Sequence, residues 1–535
     1  MSSDTGEGEF ADVVIVGAGS AGAVLAARLS EEPRRRVVLL EAGGKGGGAM
    51  VSVPAGSYAL MGNAKADWNY PVEPDPSIGG REMTWSGGRM LGGSSAINGM
   101  VYARGQVQDY QRWVRAGAEG WSWDDLLPYY VMSERFCDAR SQFHGGSGPM
   151  GVGPGGARHV LCDAIIASFV ANGVPHLEDY CAGDQFGVYD ILTTTERGVR
   201  QSTSRAYLKP ARRRPNLRII TGALVDRVLV ENGRAVGVRY LTGGEVRVIR
   251  AGEVAVSAGT IGSPAILMRS GIGPAGHLRA LGIDVVVDRP VGRNLQEHCG
   301  FAMSKFVDTP TYNSPFGIHT MARDMLIWLF SRKGPMASAA VHLMAGFKSS
   351  PELDEPDVAT SFIPLAIEFR DGRPAMHKRP GISLGGMCMR PESRGEIRLR
   401  SRDPRDKPVI DHQLLGDGRD LRRLVRAGRF LERVWSTPPL ANHVVGDMAP
   451  PVHPADDNQW EAYIRSSATI GFHPVGTCAM GGADAVLDPS LRVRGVSRLR
   501  VVDASVMPTI ISSNTNAATI AIAEKAAELI ASKGG

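Results

Sequence analysis

Four consecutive β-branched residues, Val13-Val14-Ile15-Val16, run directly into Gly17-Ala18-Gly19-Ser20-Ala21-Gly22, and this junction constrains the fold more than any other part of the chain. Branched side chains suit a strand buried on both faces, and the G-x-G-x-x-G spacing is that of a dinucleotide-binding turn. It predicts a tight bend at Gly17, backbone close to a pyrophosphate at Gly19 and a helix packed on the strand at Gly22. The N–H groups at Ser20 and Ala21 would face the phosphate charge. A second buried strand over Arg36–Leu40 ends in Glu41, nineteen positions beyond Gly22, where a carboxylate can bind ribose hydroxyls. Taken alone, the pattern fits NAD or FAD.

The 535 residues allow two to four domains, and 43% hydrophobic with 21% charged residues is a globular balance. The net charge of +5 comes from scattered arginines, so a nucleic-acid partner is not expected. Cys137, Cys162, Cys181, Cys299, Cys388 and Cys478 form neither a C-x-x-C pair nor a zinc spacing, and they read as reduced thiols with no metal. Met1–Phe10 is polar and acidic, unlike a signal peptide, so a cytoplasmic location is expected. Met325–Phe330 is an apolar run too short to cross a bilayer. It reads as a buried helix face under a loop, with a peripheral membrane contact as the other reading.

Further along, Ala42–Gly48 reads as a flexible surface loop, and Gly87–Gly99 forms a second glycine cluster. Within the cluster, Arg89 and Gly93-Ser94 suit backbone lying directly on a flat ligand. Helices are expected at Asp109–Ala116 and Ala164–Asn172. Strands are expected at 217–220, 224–230 and 235–240, with a hairpin turn at Glu231–Arg234. A short strand at Val254–Ser257 would deliver Ala258-Gly259 to the nucleotide, ahead of a helix starting at Ser263-Pro264. The region from Cys299 to about Arg465 reads as the substrate domain, and Arg419–Val434 within it as a basic amphipathic helix with solvated arginines. Near the end stand Phe472-His473-Pro474, a strand ending in Asp503-Ala504, and Asn514-Thr515-Asn516, where Asn516 is placed to cap the final helix.

These motifs together resemble the glucose-methanol-choline (GMC) family of flavin oxidoreductases, and most of all its bacterial choline dehydrogenase branch. Gly88–Gln111 fits the family's first signature, Gly259–Gly273 its second, and Val291–His298 a further block with Glu297 where many members have Asp. The resemblance spans about residues 10–531 and implies an α/β fold, α+β overall. A Rossmann-like FAD-binding domain would take residues 10–160, 195–300 and 465–535. A discontinuous second domain, an antiparallel sheet with helices, would take 161–194 and 301–464. By analogy Ser94, Asn98, Gly99 and Val101 line the flavin ring and pyrophosphate, Val225 meets the adenine, Asp503-Ala504 lie near the pyrophosphate and ribityl chain, and the helix after Asn516 points its positive end at the flavin. Ile97 stands where covalently flavinylated members often carry His, so non-covalent FAD is expected.

The resemblance also supplies the chemistry. Oxidising an alcohol needs a base with a pKa near working pH, and His473 suits that role. Asn514 would donate its amide to the developing alkoxide. The expected activity is FAD-dependent oxidation of an alcohol to an aldehyde or ketone by hydride transfer, with oxygen, a quinone or another carrier as acceptor and a dehydrogenase favoured. Choline itself is disfavoured because Val341–Phe347 offers an apolar wall without an acid. The alternatives are a non-redox or light-driven flavoprotein of the same fold, of the hydroxynitrile lyase or photodecarboxylase type, and a flavin-binding protein that acts only through partners.

Overall fold

The computed structural model describes residues 10–136, 141–313, 318–370 and 373–532; Cys137 and the segment Met1–Glu9 lie outside them. The opening run forms β1 (Phe10–Val16), and α1 (Ser20–Leu29) follows it. β2 (Val37–Glu41) lies parallel to β1 with Val13 opposite Val37. β3 (Leu217–Thr221) continues the parallel arrangement beyond β2. On the other side the sheet turns antiparallel through β4 (Leu224–Glu231), β5 (Arg234–Thr242) and β6 (Glu245–Val256), giving the order β3-β2-β1-β6-β5-β4. The hairpin between β4 and β5 turns at Asn232 and Gly233, both with positive φ.

β6 is longer than its apolar end suggested. Its charged first half, Glu245–Arg250, pairs antiparallel with β5, and its second half runs parallel to β1. The exposed first half alternates charge with apolar residues, so only the doubly buried half carried the signature of a core strand.

α2 (Gly259–Arg269) also begins earlier than expected, which places Pro264 inside the helix. Proline cannot donate to the carbonyl four residues back, at Thr260. That carbonyl instead accepts the Thr477 hydroxyl at 2.6 Å, so a side chain from another segment completes the helix.

The second sheet is antiparallel. It contains β7 (Cys299–Phe301), β8 (Ser304–Val307), β9 (Leu343–Phe347), β10 (Val358–Ile363), β11 (Gly381–Cys388), β12 (Val444–Ala449) and β13 (Ala468–Ile470). Its main path is β9-β10-β11-β7-β13. α3 (Ile318–Ser331) precedes β9, and α4 (Gly418–Trp435) packs on β11 through Leu421, Leu424, Ala427 and Leu431. Of the α4 arginines, Arg423 departs from the solvated-face reading. It points inward and binds Asp357 at 2.9 Å and Asp420 at 3.0 Å.

α3 overturns the expectation of a buried apolar face. Trp328 is buried against Val53 and Ala337, but Leu326, Leu329 and Phe330 face outward, with Phe330 89% exposed. Consecutive apolar residues cannot share one side of a helix, and only the Asp324–Trp328 side meets protein. No helix among the described residues is long and apolar enough to cross a membrane.

The chain then returns to the first sheet through β14 (Leu499–Val501), parallel to β6, and ends in α5 (Asn516–Ala531). Small residues on α5, among them Ala517, Ala521 and Ala527, let it pack closely on α1. Buried Glu524 joins the two helices by accepting from Arg28 Nε at 2.7 Å and Nη2 at 3.0 Å, and from the Tyr207 hydroxyl at 2.8 Å. Truncating a buried contact here, such as Ile520 to Ala, removes about 2–5 kcal/mol of stability.

Candidate active site

One cavity of about 660 Å³ opens between the C-terminal ends of the parallel strands and the second sheet. At its nucleotide end the three motif glycines have separate tasks. A Cβ on Gly17 would lie 2.4 Å from the Ser257 carbonyl oxygen, and one on Gly22 would lie 1.9 Å from that of Gly17, so both positions are closed by packing. Gly19 instead faces open space, its nearest neighbour being the Gly93 Cα at 4.0 Å. A Cβ added at Gly99 or Gly259 would meet nothing within 4 Å. The two glycine loops touch back to back, and Gly92 N–H donates to the Ala18 carbonyl at 2.7 Å.

A polar group beside this open backbone is short of a partner. Among the described residues the Ser257 hydroxyl is buried and unpaired, and Asn98 spends its side-chain oxygen on Met100 N–H and Arg200. The N-terminal ends of α1, α2 and α5 also border the cavity. Bare backbone, an unpaired hydroxyl and positive helix ends together fit a flat, phosphate-bearing cofactor, as FAD is.

The expected cofactor residues Gly17, Gly19, Ser20, Ala21, Glu41, Gly93, Ser94, Asn98, Gly99, Val101, Val225, Ala258, Asp503, Ala504 and Asn516 all line this cavity. Gly22 and Arg89 do not. Gly22 lies one turn into α1 against the strand, and the Arg89 guanidinium stacks over the Trp68 ring at 4.9 Å. The Ala42–Gly48 loop is not free at its start, because a Cβ on Gly43 would collide with the Arg89 carbonyl. Asn516 is the first residue of α5 and does not cap it; its side chain accepts from the Ser20 hydroxyl at 2.7 Å.

Two acids do structural work as well as lining the site. Glu41 accepts Ala18 N–H at 2.9 Å and Gly43 N–H at 2.7 Å, and burial pushes its carboxyl up to about 7. Asp503 accepts from Gly259 N–H, the Ser263 hydroxyl and Ser505, joining α2 to the loop after β14, and burial raises its pKa too.

At the far end, His473 and Asn514 meet. Asn514 Nδ2 lies 2.9 Å from His473 Nε2. The backbone N–H of His473 donates to both oxygens of Glu297, at 2.9 and 2.8 Å, and the preceding Phe472 is held at φ +60°. Burial, reinforced by the neighbouring His298, holds the His473 imidazole well below its ordinary pKa, so it is neutral near pH 7. The segment after it is pinned to α2: the Thr260 hydroxyl donates to the Pro474 carbonyl at 2.6 Å. A neutral ring with a carboxamide at its cavity-facing nitrogen can accept a proton while the amide binds the oxygen that lost it.

Sequence reasoning missed His298, whose ring lies behind His473 with 3.0 Å between their Nδ1 atoms. It also missed Arg200, a buried cation that binds Asn98 O at 2.6 Å and Asn98 Oδ1 at 3.0 Å. Desolvation lowers the Arg200 pKa to about 10. Arg200 stands in no local pattern that marks it, and His298 closes the Val291–His298 block without a role being assigned to it. The second sheet adds Met344, Ser361, Ile363, Met387 and Thr469 to the cavity wall.

Comparison with known proteins agrees with this geometry. GMC oxidoreductase family profiles match residues 11–300 and 391–523. An oxygen-dependent choline dehydrogenase of Sinorhizobium fredii is 37% identical over 531 residues, covering 98% of this chain and 96% of that protein. The mitochondrial choline dehydrogenase of Mus musculus is 38% identical over 97% of this chain and 89% of its own length. Among solved structures, pyridoxine 4-oxidase from Mesorbium loti superposes with a TM-score of 0.90 at 32% identity, covering 98% of this chain and 100% of that one. A variant of Aspergillus oryzae formate oxidase gives 0.90 at 26% identity, covering 98% and 99%. With matched profiles over most of its length and these full-length relatives, the chain belongs to the GMC oxidoreductase family.

Proposed function

We propose that the protein oxidises an uncharged primary or secondary alcohol to the aldehyde or ketone, with His473 as the base and non-covalently bound FAD as the electron acceptor. FAD, when bound, supplies a hydride acceptor; the protein's part is to hold the alcohol and move its proton. The observation that carries this reading is the Asn514–His473 pair at the cavity wall, 2.9 Å apart. An alcohol O–H that donates to His473 Nε2 replaces the Asn514 bond and releases that amide to the alcohol oxygen. The charge that develops there then meets a preorganised donor.

The lining supports a neutral substrate. Met344, Ile363 and Met387 present apolar surface, and Ser361 and Thr469 add hydroxyls. The lining acids Glu41 and Asp503 are bonded into the nucleotide loops, and Asp406 adjoins Lys407, which binds Asn69 O. Among the described lining residues, then, none offers a carboxylate beside His473 for a quaternary ammonium group. Non-covalent FAD is supported by Ile97, which lines the cavity and has no nucleophilic atom.

The test is anaerobic mixing of purified holoprotein with neutral aromatic and aliphatic alcohols and with choline, following flavin absorbance near about 450 nm. Bleaching by neutral alcohols is expected. Bleaching by choline alone overturns the substrate class, and bleaching by none overturns alcohol oxidation. Admitting oxygen to the reduced protein then separates an oxidase from a dehydrogenase.

A further inference from the structure

Buried His298 has three neighbours that determine where its hydrogen sits. Its Nε2 lies 2.9 Å from the Met389 carbonyl oxygen and 3.0 Å from that of Ile511. Carbonyl oxygens only accept, so Nε2 must carry the hydrogen. In the neutral ring Nδ1 is then a lone pair, and Nδ1 faces His473 Nδ1 at 3.0 Å. Two lone pairs cannot share that contact, so the hydrogen between the rings belongs to His473. A neutral His473 with Nδ1–H has its own lone pair on Nε2, which is the nitrogen that receives the Asn514 amide and faces the cavity.

We infer that His298 is a positioning residue that fixes the tautomer of His473, so that the reactive lone pair points at the substrate. The two main-chain carbonyls, contributed by segments after β11 and before α5, set a hydrogen-bond chain that runs through both rings. The ring planes lie 81° apart with centroids 5.1 Å apart, the separation of two rings that meet edge to edge through their Nδ1 atoms, and flipping either ring breaks the chain. When His473 takes the alcohol proton at Nε2, it becomes an imidazolium that donates from Nδ1 to a neutral acceptor, a charge-assisted bond stronger than the neutral one it replaces. This orienting role is usually given to a carboxylate. Here Glu297, the nearby acid, is engaged with the main chain of His473, and a second imidazole takes the ring contact.

The inference rests on the alcohol-oxidation reading for its kinetic consequence, and a spectroscopic readout makes it separable. Holoprotein labelled with ¹⁵N-histidine, its His473 signals assigned by comparison with His473→Gln, is expected to show Nδ1 protonated and Nε2 bare. His298→Leu removes the acceptor and is expected to shift the hydrogen toward Nε2 and slow flavin reduction by about 10²-fold, within the range of general-base contributions. His298→Gln, which can accept from His473 with its oxygen and donate to the carbonyls with its amide, is expected to restore the bare Nε2 and most of the rate. A wild-type spectrum with hydrogen on Nε2, or a folded His298→Leu protein with unchanged tautomer and rate, overturns the inference. If no alcohol bleaches the flavin, the functional reading fails and the tautomer is still decided by the wild-type and Gln spectra.

Discussion

Adding one methyl group at Gly471 tests how tightly the His473 ring is held. A Cβ at this position would lie 2.7 Å from His473 Nδ1, 3.0 Å from the His298 Cβ and 3.2 Å from the Met387 sulfur. His298 cannot give way without breaking its bonds to the Met389 and Ile511 carbonyls, and the main chain at Gly471 is tied to the His298 carbonyl at 2.9 Å. The His473 ring therefore retreats by about 0.7 Å to reach an ordinary contact of 3.4 Å, opening the 3.0 Å bond between the rings. A misplacement near 1 Å costs a reaction about 10²-fold, or about 2.7 kcal/mol of transition-state stabilisation. The assay is stopped-flow flavin reduction under anaerobic conditions with saturating alcohol, alongside thermal unfolding of the same preparation. Gly471→Ala is expected to keep its flavin, unfold within a few degrees of wild type and reduce about 10²-fold more slowly. A stable variant that reduces at the wild-type rate refutes the claim that the ring has no room to move.

Other consequences are equally measurable. Burial pushes Glu297 from 4.5 up to about 8, so between those values the folded protein holds a proton that the unfolded chain has released. Glu297 therefore lowers stability as pH rises through that window, and Glu297→Gln is expected to flatten the decline in denaturant midpoint between pH 5 and pH 8 relative to wild type; a parallel decline in both proteins would count against it. Thr477→Val leaves the Thr260 carbonyl unpaired inside α2 and is expected to cost about 1–3 kcal/mol in chemical denaturation, with an unchanged midpoint contradicting the helix repair. Acid precipitation is expected to release the flavin into the supernatant, because Ile97 gives it no covalent anchor; yellow colour retained in the washed pellet would contradict this.

Much of the nucleotide half was legible because its signals are local. A doubly buried strand, a glycine turn and the acid at the next strand end all fall within residues 13–41, and β1, α1 and β2 form there. His473 and Asn514 were legible only through resemblance, since their contact spans 41 residues and no spacing rule joins them. His298 shows what stays hidden: the block that ends in it was visible, but its role comes from a ring 175 residues away. Pro264 misled for a similar reason. A proline normally marks a first turn, but here the carbonyl it orphans is satisfied from residue 477. The outward apolar side of α3 was hidden because hydrophobic sequence reports a preference for burial and does not report whether a neighbour is present to provide it.

The bond between Ser20 and Asn516 joins α1 to α5 across 496 residues, and Arg28 and Glu524 repeat the span about two turns further along. For biosynthesis this means that the cavity lacks one of its walls until α5 has been made. The first glycine loop emerges early and waits, half built, for the second loop, for the turn after β6 and finally for α5. A chain lacking residues 516–531 would therefore leave the cavity open on the side where α5 meets Ser20.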